Sequence, residues 1–265
     1  MFCALFNSLK GQIVCFGMMK HFGNVETIVM FILCLNLVHK NNGIPKEAFM
    51  SDKFIVGRIA ELEDFPFMAS LRIKSVHYCA STIIHPKWAI TAAQCYQIVP
   101  FSDYTIVSST QQLNYNSGLE HKVINITLSP DGDLALLEIA DTFKETPAIL
   151  TKNMLGNFEL GIIVGWGFTA TPGTTPKDLR MVYLRIMQDS ECNVRYNDYK
   201  PKAGLICMMP KSKHLGICTG DVGAPLVANG KVYAVAAWRK NCLDNGPEVF
   251  YSLPYRYQWI TSVIM

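Results

Sequence analysis

The feature that most restricts the possible folds is a succession of short apolar segments, each of strand length and each bounded by Pro, Gly, Asn or Asp. The dipeptide Asn229-Gly230 divides one of them into a predicted two-residue hairpin. The last dozen residues instead place four apolar residues at helical spacing: Tyr257, Ile260, Val263 and Ile264. This pattern predicts two strand-rich halves joined near 141–158, and a C-terminal helix over about 254–265. The predicted strand segments are 66–74, 78–84, 88–91, 104–109, 121–128, 133–140, 161–167, 179–187, 204–209, 224–238 and 248–253.

The distribution of charge argues against a nucleic-acid-binding protein. The first 53 residues hold five Lys and three acids, a net of +2, so the other 212 carry about +1 of the total of +3. Proteins that bind nucleic acid usually concentrate many more basic residues on one face. We therefore expect no nucleic-acid partner.

Residues 1–53 have the properties of a secretory leader. The run "TIVMFILCLNLV" at 27–38 has the length of a signal-peptide core and is shorter than a typical membrane span. We expect a signal peptide within 18–40 followed by a short propeptide, with translation starting at Met18 or Met19. An uncleaved membrane anchor is the alternative. The mature protein is then secreted and has no membrane span.

The cysteines support the same compartment. Three of the nine lie in the leader (Cys3, Cys15 and Cys34), which leaves six beyond it. An even number suits three disulfides in an oxidising environment. A zinc site would favour CxxC pairs, and the sequence has none, so we expect no metal and no other cofactor.

Four motifs occur in an order that resembles the chymotrypsin/trypsin family of serine proteases: "PKWAITAAQC", "GDLALLEI", "VGWG" and "CTGDVGAP". The resemblance covers residues 54–265. It implies an all-β fold of two six-stranded antiparallel barrels, at about 54–150 and 151–252, with a C-terminal helix. It also implies the disulfides Cys79–Cys95, Cys192–Cys207 and Cys218–Cys242.

The same resemblance places unusual residues at the catalytic positions. The family's histidine, aspartate and serine fall at Gln94, Asp133 and Val222, and its oxyanion-binding N–H groups fall at Gly220 and Val222. A glutamine amide has no proton to exchange near neutral pH, so it cannot act as a general base. Valine has no nucleophilic atom. We therefore expect no competent catalytic residue.

Four histidines lie beyond the leader: His77, His85, His121 and His214. None of them sits at a family position near the site, so we expect none to replace the missing base. His85 precedes a proline and is interpreted as a turn residue.

Asp221 carries a further expectation. In the family, cleavage after a basic residue frees an α-amine that pairs with this aspartate. The matching residues are Lys53 and Phe54, so cleavage between them would let Phe54 reach Asp221. The alternative is that Asp221 only accepts hydrogen bonds from its own turn.

The substrate pocket also departs from the family pattern. Gly216 falls at its floor, and Arg239 and Glu248 replace two glycines of its wall. Three arrangements are open: the two side chains face each other and close the pocket, both point to solvent, or Glu248 lines an open acidic pocket.

Asn125 in "NIT" is an N-glycosylation sequon. Together these features predict a secreted, inactive protease homologue. It would bind an extracellular protein, either an active protease or its substrate, as a regulator, cofactor or decoy. A residually active serine endopeptidase and a structural secretory-fluid protein are the alternatives.

Overall fold

The computed structural model describes residues 57–113, 117–156, 159–167, 178–196, 203–211, 215–242 and 245–265. The leader, including Lys53 and Phe54, and His214 lie outside these residues. The described chain forms thirteen strands and two α-helices. The strands are β1 (Arg58–Ile59), β2 (Met68–Ile73), β3 (Val76–His85), β4 (Trp88–Ala92), β5 (Tyr104–Ser108), β6 (Leu119–Leu128), β7 (Leu134–Ile139), β8 (Leu160–Gly165), β9 (Arg180–Ile186), β10 (Leu205–Pro210), β11 (Pro225–Ala228), β12 (Lys231–Trp238) and β13 (Glu248–Ser252).

The first six-stranded barrel has the strand order β2-β3-β4-β7-β6-β5. It closes where β2 pairs with β5, with Leu71 opposite Ile106. Both of these side chains are fully buried in the barrel's own core. All six strand pairings are antiparallel.

The second barrel runs β8-β9-β10-β13-β12-β11, and the pairing of β8 with β9 closes it. Its β11–β12 hairpin turns at Asn229 and Gly230, whose φ angles of 49° and 71° are those of the tight turn the sequence predicted. The short β1 pairs with β9. The chain thus joins the second barrel's sheet first, although we assigned 54–150 to the first barrel.

The two barrels pack together through one apolar cluster. Met68 and Ile90 of the first barrel belong to it, as do Leu226, Val235 and Phe250 of the second. Burial of this surface stabilises one barrel against the other, since apolar area removed from water contributes about 25 cal/mol per Å². The predicted all-β fold of two six-stranded barrels with a C-terminal helix is confirmed.

The C-terminal helix, α2, spans Leu253–Ile264. Ser252 caps it by accepting a hydrogen bond from the N–H of Tyr255. Its buried residues are Leu253, Arg256 and Ile260. Ile260 of the predicted face is buried, and Val263 and Ile264 pack against the core. The pattern did not include the buried Arg256, because it counted only apolar residues.

A second helix, α1 at Asp189–Arg195, was not predicted from the sequence. Only Cys192 of its seven residues is buried, so its apolar pattern is too weak to detect. Cys192 joins Cys207, and the other two disulfides are Cys79–Cys95 and Cys218–Cys242. These are the three pairs that the resemblance implies.

Candidate functional site

The site lies where loops of the two barrels meet. Gln94 sits in the short 3₁₀ turn Ala93–Cys95 after β4, and Asp133 directly precedes β7. The N–H of Ala93 donates to the carbonyl of Asp133 at 3.0 Å. The sulfur of Cys95 lies 4.0 Å from the carbonyl oxygen of Val222. The neighbours of Gln94 therefore touch both Asp133 and Val222, and the fold brings the three positions together.

Gln94 bridges the two barrels. Its side-chain Nε2 donates to the carbonyl of Ala237 on β12 at 2.7 Å. The backbone carbonyl of Gln94 in turn accepts from Gln97 Nε2 at 3.3 Å. The amide NH₂ of Gln94 can donate this hydrogen bond at any pH, because an amide has no titratable proton near neutral pH.

Val222 lies in a turn whose backbone conformation requires glycine at positions 220 and 223. Gly220 and Gly223 have φ angles of +97° and +85°. A Cβ on Gly223 would lie 2.3 Å from the carbonyl oxygen of Ala80. The backbone N–H of the same residue, Ala80, donates a hydrogen bond to the carbonyl of Val222 at 2.9 Å. The side chain of Val222 is half-buried and packs against the core of the first barrel.

Asp133 has a partner that sequence reasoning missed. Its Oδ2 accepts from Nη2 of Arg256 on α2 at 2.8 Å, and the same nitrogen contacts Asp131. Arg256 is buried, and desolvation lowers its pKa. A signal did exist, since Arg256 lies four residues before Ile260 and therefore on the same face of the helix.

His77 lies beside the Val222 turn, although it does not match a catalytic position of the family. Its Nε2 donates to the carbonyl of Gly220 at 3.1 Å, two residues from Val222. Because a carbonyl can only accept, Nε2 carries the proton, and Nδ1 accepts from the hydroxyl of Ser70 at 2.8 Å. Burial lowers the pKa of His77 to about 4. The ring is therefore neutral at physiological pH and both nitrogens are occupied.

The other described histidines lie elsewhere. His85 ends β3, and its Nδ1 accepts from the N–H of Lys87 at 3.3 Å, as expected of a turn residue. His121 is buried in the first barrel between the hydroxyl of Ser108 at 2.9 Å and the carboxylate of Asp141 at 2.8 Å. Ser108 is fully buried, so its hydroxyl is closed to any substrate.

Asp221 is buried behind the Val222 turn. Its Oδ1 accepts from the N–H of Gly167 at 2.7 Å and its Oδ2 from the N–H of Cys218 at 3.0 Å. Burial raises the pKa of Asp221 to about 6, against the lowering effect of these two bonds and of Arg239. A Cβ on Gly167 would lie 1.9 Å from the carboxylate, so glycine is required there.

A cavity of about 40 Å³ adjoins the Asp221 carboxylate. Its walls include Gly57, Ile163, Gly165, Arg180, Gly216 and Cys242. Gly57, the first of the described residues, lines this cavity and lies three residues after Phe54 in the sequence.

The side chains of Arg239 and Glu248 face each other in the pocket. Arg239 Nη1 lies 3.2 Å from Glu248 Oε1, and their side chains are 3% and 0% exposed. The same nitrogen donates to the carbonyls of Leu215 and Ile217 at 3.2 and 3.3 Å. Neither side chain points to solvent.

Gly216 makes room for the Glu248 carboxyl. A Cβ on Gly216, whose φ is +126°, would lie 1.4 Å from Glu248 Oε1. That oxygen also accepts from the N–H of Ile217 at 2.9 Å. Burial raises the pKa of Glu248 to about 8, although Arg239 and the Ile217 N–H act in the opposite direction. The Glu248 carboxyl and the Arg239 guanidinium therefore lie where any side chain on residue 216 would have to be.

The described residues contain no group of three or more His, Cys, Asp or Glu side chains placed to hold a metal ion. Among those residues no helix has the length and apolar character needed to cross a bilayer.

A protein with two closed six-stranded barrels, and with a site between their loops, has the chymotrypsin-like double-barrel fold. The family model for Trypsin matches residues 54–260. A trypsin from Saccharopolyspora erythraea is 27% identical over 207 residues, which cover 74% of this chain and 91% of that protein. Trypsin-1 of Astacus astacus is 29% identical over 237 residues, covering 78% and 98%. The structure of neuropsin, a serine protease of mouse brain, superposes with a TM-score of 0.72 at 22% identity, over 79% of this chain and 99% of that one. The chain belongs to the trypsin family.

Proposed function

We propose that the protein is a secreted, non-catalytic member of the trypsin family that acts by binding another extracellular protein. In this role it regulates, assists or competes with extracellular proteolysis, and its partner is an active protease or the substrate of one. The proposal rests above all on the chemistry at the two reactive positions.

The described residues at the site include neither a general base nor a nucleophile at these two positions. Gln94 commits its amide to the Ala237 carbonyl, and Val222 presents a hydrocarbon. His77 is the nearest described imidazole to the turn, but its two nitrogens serve Ser70 and Gly220. In subtilisin, loss of the serine or the histidine alone lowers turnover by about 10⁶-fold.

The filled pocket supports the same proposal. A substrate side chain would have to displace Arg239 from Glu248 and from two backbone carbonyls. The displaced guanidinium would lose its carbonyl and carboxyl partners, which is unfavourable for a buried charge. The region that would normally select a substrate is therefore already occupied.

Secretion is supported by the three disulfides, which are typical of oxidising compartments. Asn125 is exposed on β6 and is available for glycosylation. Mass spectrometry before and after treatment with a peptide N-glycosidase tests occupancy, and an unchanged mass of the secreted protein contradicts it.

Cleavage at Lys53–Phe54 remains part of the proposal. The cavity beside Asp221, which Gly57 also lines, supports entry of a new α-amine from the residues just before it. Asp221 also bonds its own turn, through the N–H of Cys218, so the two interpretations of this aspartate are compatible. The mature N-terminus decides: a start well upstream of Phe54 excludes the switch.

The test of the main proposal uses the purified secreted protein. We expect no labelling by a fluorophosphonate probe, no hydrolysis of peptide substrates, and saturable capture of a partner from the native fluid. Labelling or hydrolysis that survives removal of contaminating proteases supports the residually active endopeptidase instead. Bulk secretion without any enriched partner supports a structural secretory-fluid protein.

A further inference from the structure

We infer that Arg256 of the terminal helix has taken over Asp133, so that the site has lost its third catalytic group as well as its base and nucleophile. This inference deepens the proposed function and rests on it. Asp133 is the one catalytic position whose residue type matches the family, and identity alone would suggest that it is ready to orient an imidazole.

The geometry ties Asp133 to α2. Arg256 Nη2 donates to Asp133 Oδ2 at 2.8 Å, and the same nitrogen contacts the carboxylate of Asp131. The arginine therefore spans from the second barrel's helix to the loop that precedes β7 of the first barrel. Two carboxylates share one guanidinium, which holds the Asp133 side chain to the helix.

The arginine has little freedom to release this contact. Its side chain is 9% exposed, and its guanidinium lies 4.1 Å from the centre of the Tyr255 ring. A Cβ on Gly204 would lie 2.7 Å from Arg256 Nη1. Withdrawal of the guanidinium would leave it buried among these groups without its carboxylates, which is unfavourable for a charge.

The functional consequence is electrostatic. In a serine protease the aspartate stabilises the imidazolium that forms when the histidine takes a proton. The Arg256 guanidinium, 2.8 Å from Asp133 Oδ2 and shared with Asp131, opposes part of the negative charge that would stabilise such an imidazolium. An imidazole restored at position 94 would therefore be less basic here than beside a free aspartate.

The first experiment measures this directly. The variant Gln94→His is titrated by NMR with and without Arg256→Gln. We expect Arg256→Gln to raise the pKa of the introduced imidazole by about one unit or more, since it leaves an uncompensated carboxylate nearby. Arg256→Lys keeps the positive charge and should keep the pKa low. Arg195→Gln, at a half-exposed arginine that pairs with Glu191, serves as the matched control and should not shift it.

The second experiment measures reactivity in Gln94→His with Val222→Ser. Adding Arg256→Gln should accelerate fluorophosphonate labelling at least tenfold, up to the roughly 10⁴-fold that the aspartate contributes in serine proteases. Equal labelling rates and equal imidazole pKa values with and without Arg256→Gln, in variants that keep the native circular dichroism spectrum, overturn the inference. Labelling of the unmutated protein would instead contradict the proposed function, so the two failures are distinguishable.

Discussion

Arg239 Nη1 lies 3.2 Å from Glu248 Oε1 beside Gly216, where a Cβ could not fit. The guanidinium also binds the carbonyls of Leu215 and Ile217. A carboxyl and two carbonyls form the kind of site that would hold the cationic group of a ligand. In this protein the cation is its own side chain.

The occupied pocket predicts the response to benzamidine. Benzamidine, a planar cation, should not change the melting temperature of the unmutated protein. The variant Arg239→Gly vacates the carboxyl and the carbonyls, so benzamidine should stabilise it in a concentration-dependent manner. At a concentration a hundredfold above the dissociation constant, the stabilisation is about 2.7 kcal/mol. Differential scanning fluorimetry measures the shift.

The control is Arg195→Gly, which removes a half-exposed arginine outside the pocket. It should show no response to benzamidine. Binding of benzamidine in the pocket of the unmutated protein, seen by NMR or crystallography, would show that Arg239 does not close it.

The raised pKa of Glu248, about 8, predicts how stability depends on pH. The folded state binds a proton more tightly than the unfolded state, so the free energy of unfolding falls as pH rises towards 8. Each unit of pH is worth up to about 1.4 kcal/mol, which gives a loss of at most about 2 kcal/mol between pH 6.5 and 8. Denaturant unfolding at several pH values measures it.

Measuring stability between pH 6.5 and 8 distinguishes the titration of Glu248 from that of Asp221 and His77. The raised pKa of Asp221, about 6, also lowers stability with rising pH, but its effect ends near that value. The lowered pKa of His77, about 4, has the opposite sign and acts only below 6.5. Glu248→Gln should abolish the slope above pH 6.5, whereas Glu120→Gln on the exposed side of β6 should not. An unchanged slope in Glu248→Gln would show that another group titrates.

Much of the fold could be predicted because its signals are local. Strands such as β4 and β7 are short apolar runs between turn residues, and Asn229-Gly230 specifies its hairpin by itself. The two-residue β1 and the polar helix α1 carry no such pattern. Their positions depend on pairing with β9 and on the Cys192–Cys207 disulfide, which are contacts distant in sequence.

The candidate site, too, has features that the sequence predicts and features that only the fold shows. The types of residue at 94 and 222 can be read directly from motifs. The partners of these positions cannot, because Gln94 bonds a carbonyl 143 residues away and Arg256 bonds a carboxylate 123 residues away. His77 was missed for the same reason, since only the folded chain brings it to the Gly220 carbonyl.

The hydrogen bond from Gln94 to Ala237 predicts a modest structural role for the glutamine. Gln94→Ala should lower the free energy of unfolding by about 0.5–1.5 kcal/mol, the usual net contribution of one hydrogen bond. Gln94→Glu should lower it further at pH 7, because a carboxylate would then face the Ala237 carbonyl without a donor. Urea unfolding measures both changes.

Gln97→Ala is a suitable control for this pair. Gln97 is exposed, and its side chain only donates to the Gln94 carbonyl at 3.3 Å within the same loop. Its loss should change the stability by less than that of Gln94. Equal stability of Gln94→Glu and the unmutated protein would show that the bond between the barrels does not contribute.

Restoring the two reactive groups should not restore an efficient enzyme. We expect Gln94→His with Val222→Ser to hydrolyse a small ester poorly, because Arg239 and Glu248 still fill the pocket and Arg256 still holds Asp133. Adding Arg239→Gly and Glu248→Gly together removes both halves of the buried contact, so no unpaired charge remains, and should raise the rate at least tenfold. Stopped-flow or plate assays on variants with native melting behaviour measure these rates. Brisk hydrolysis by the double variant alone would show that substrate enters past Arg239, and that the loss of residues 94 and 222 was the only barrier to catalysis.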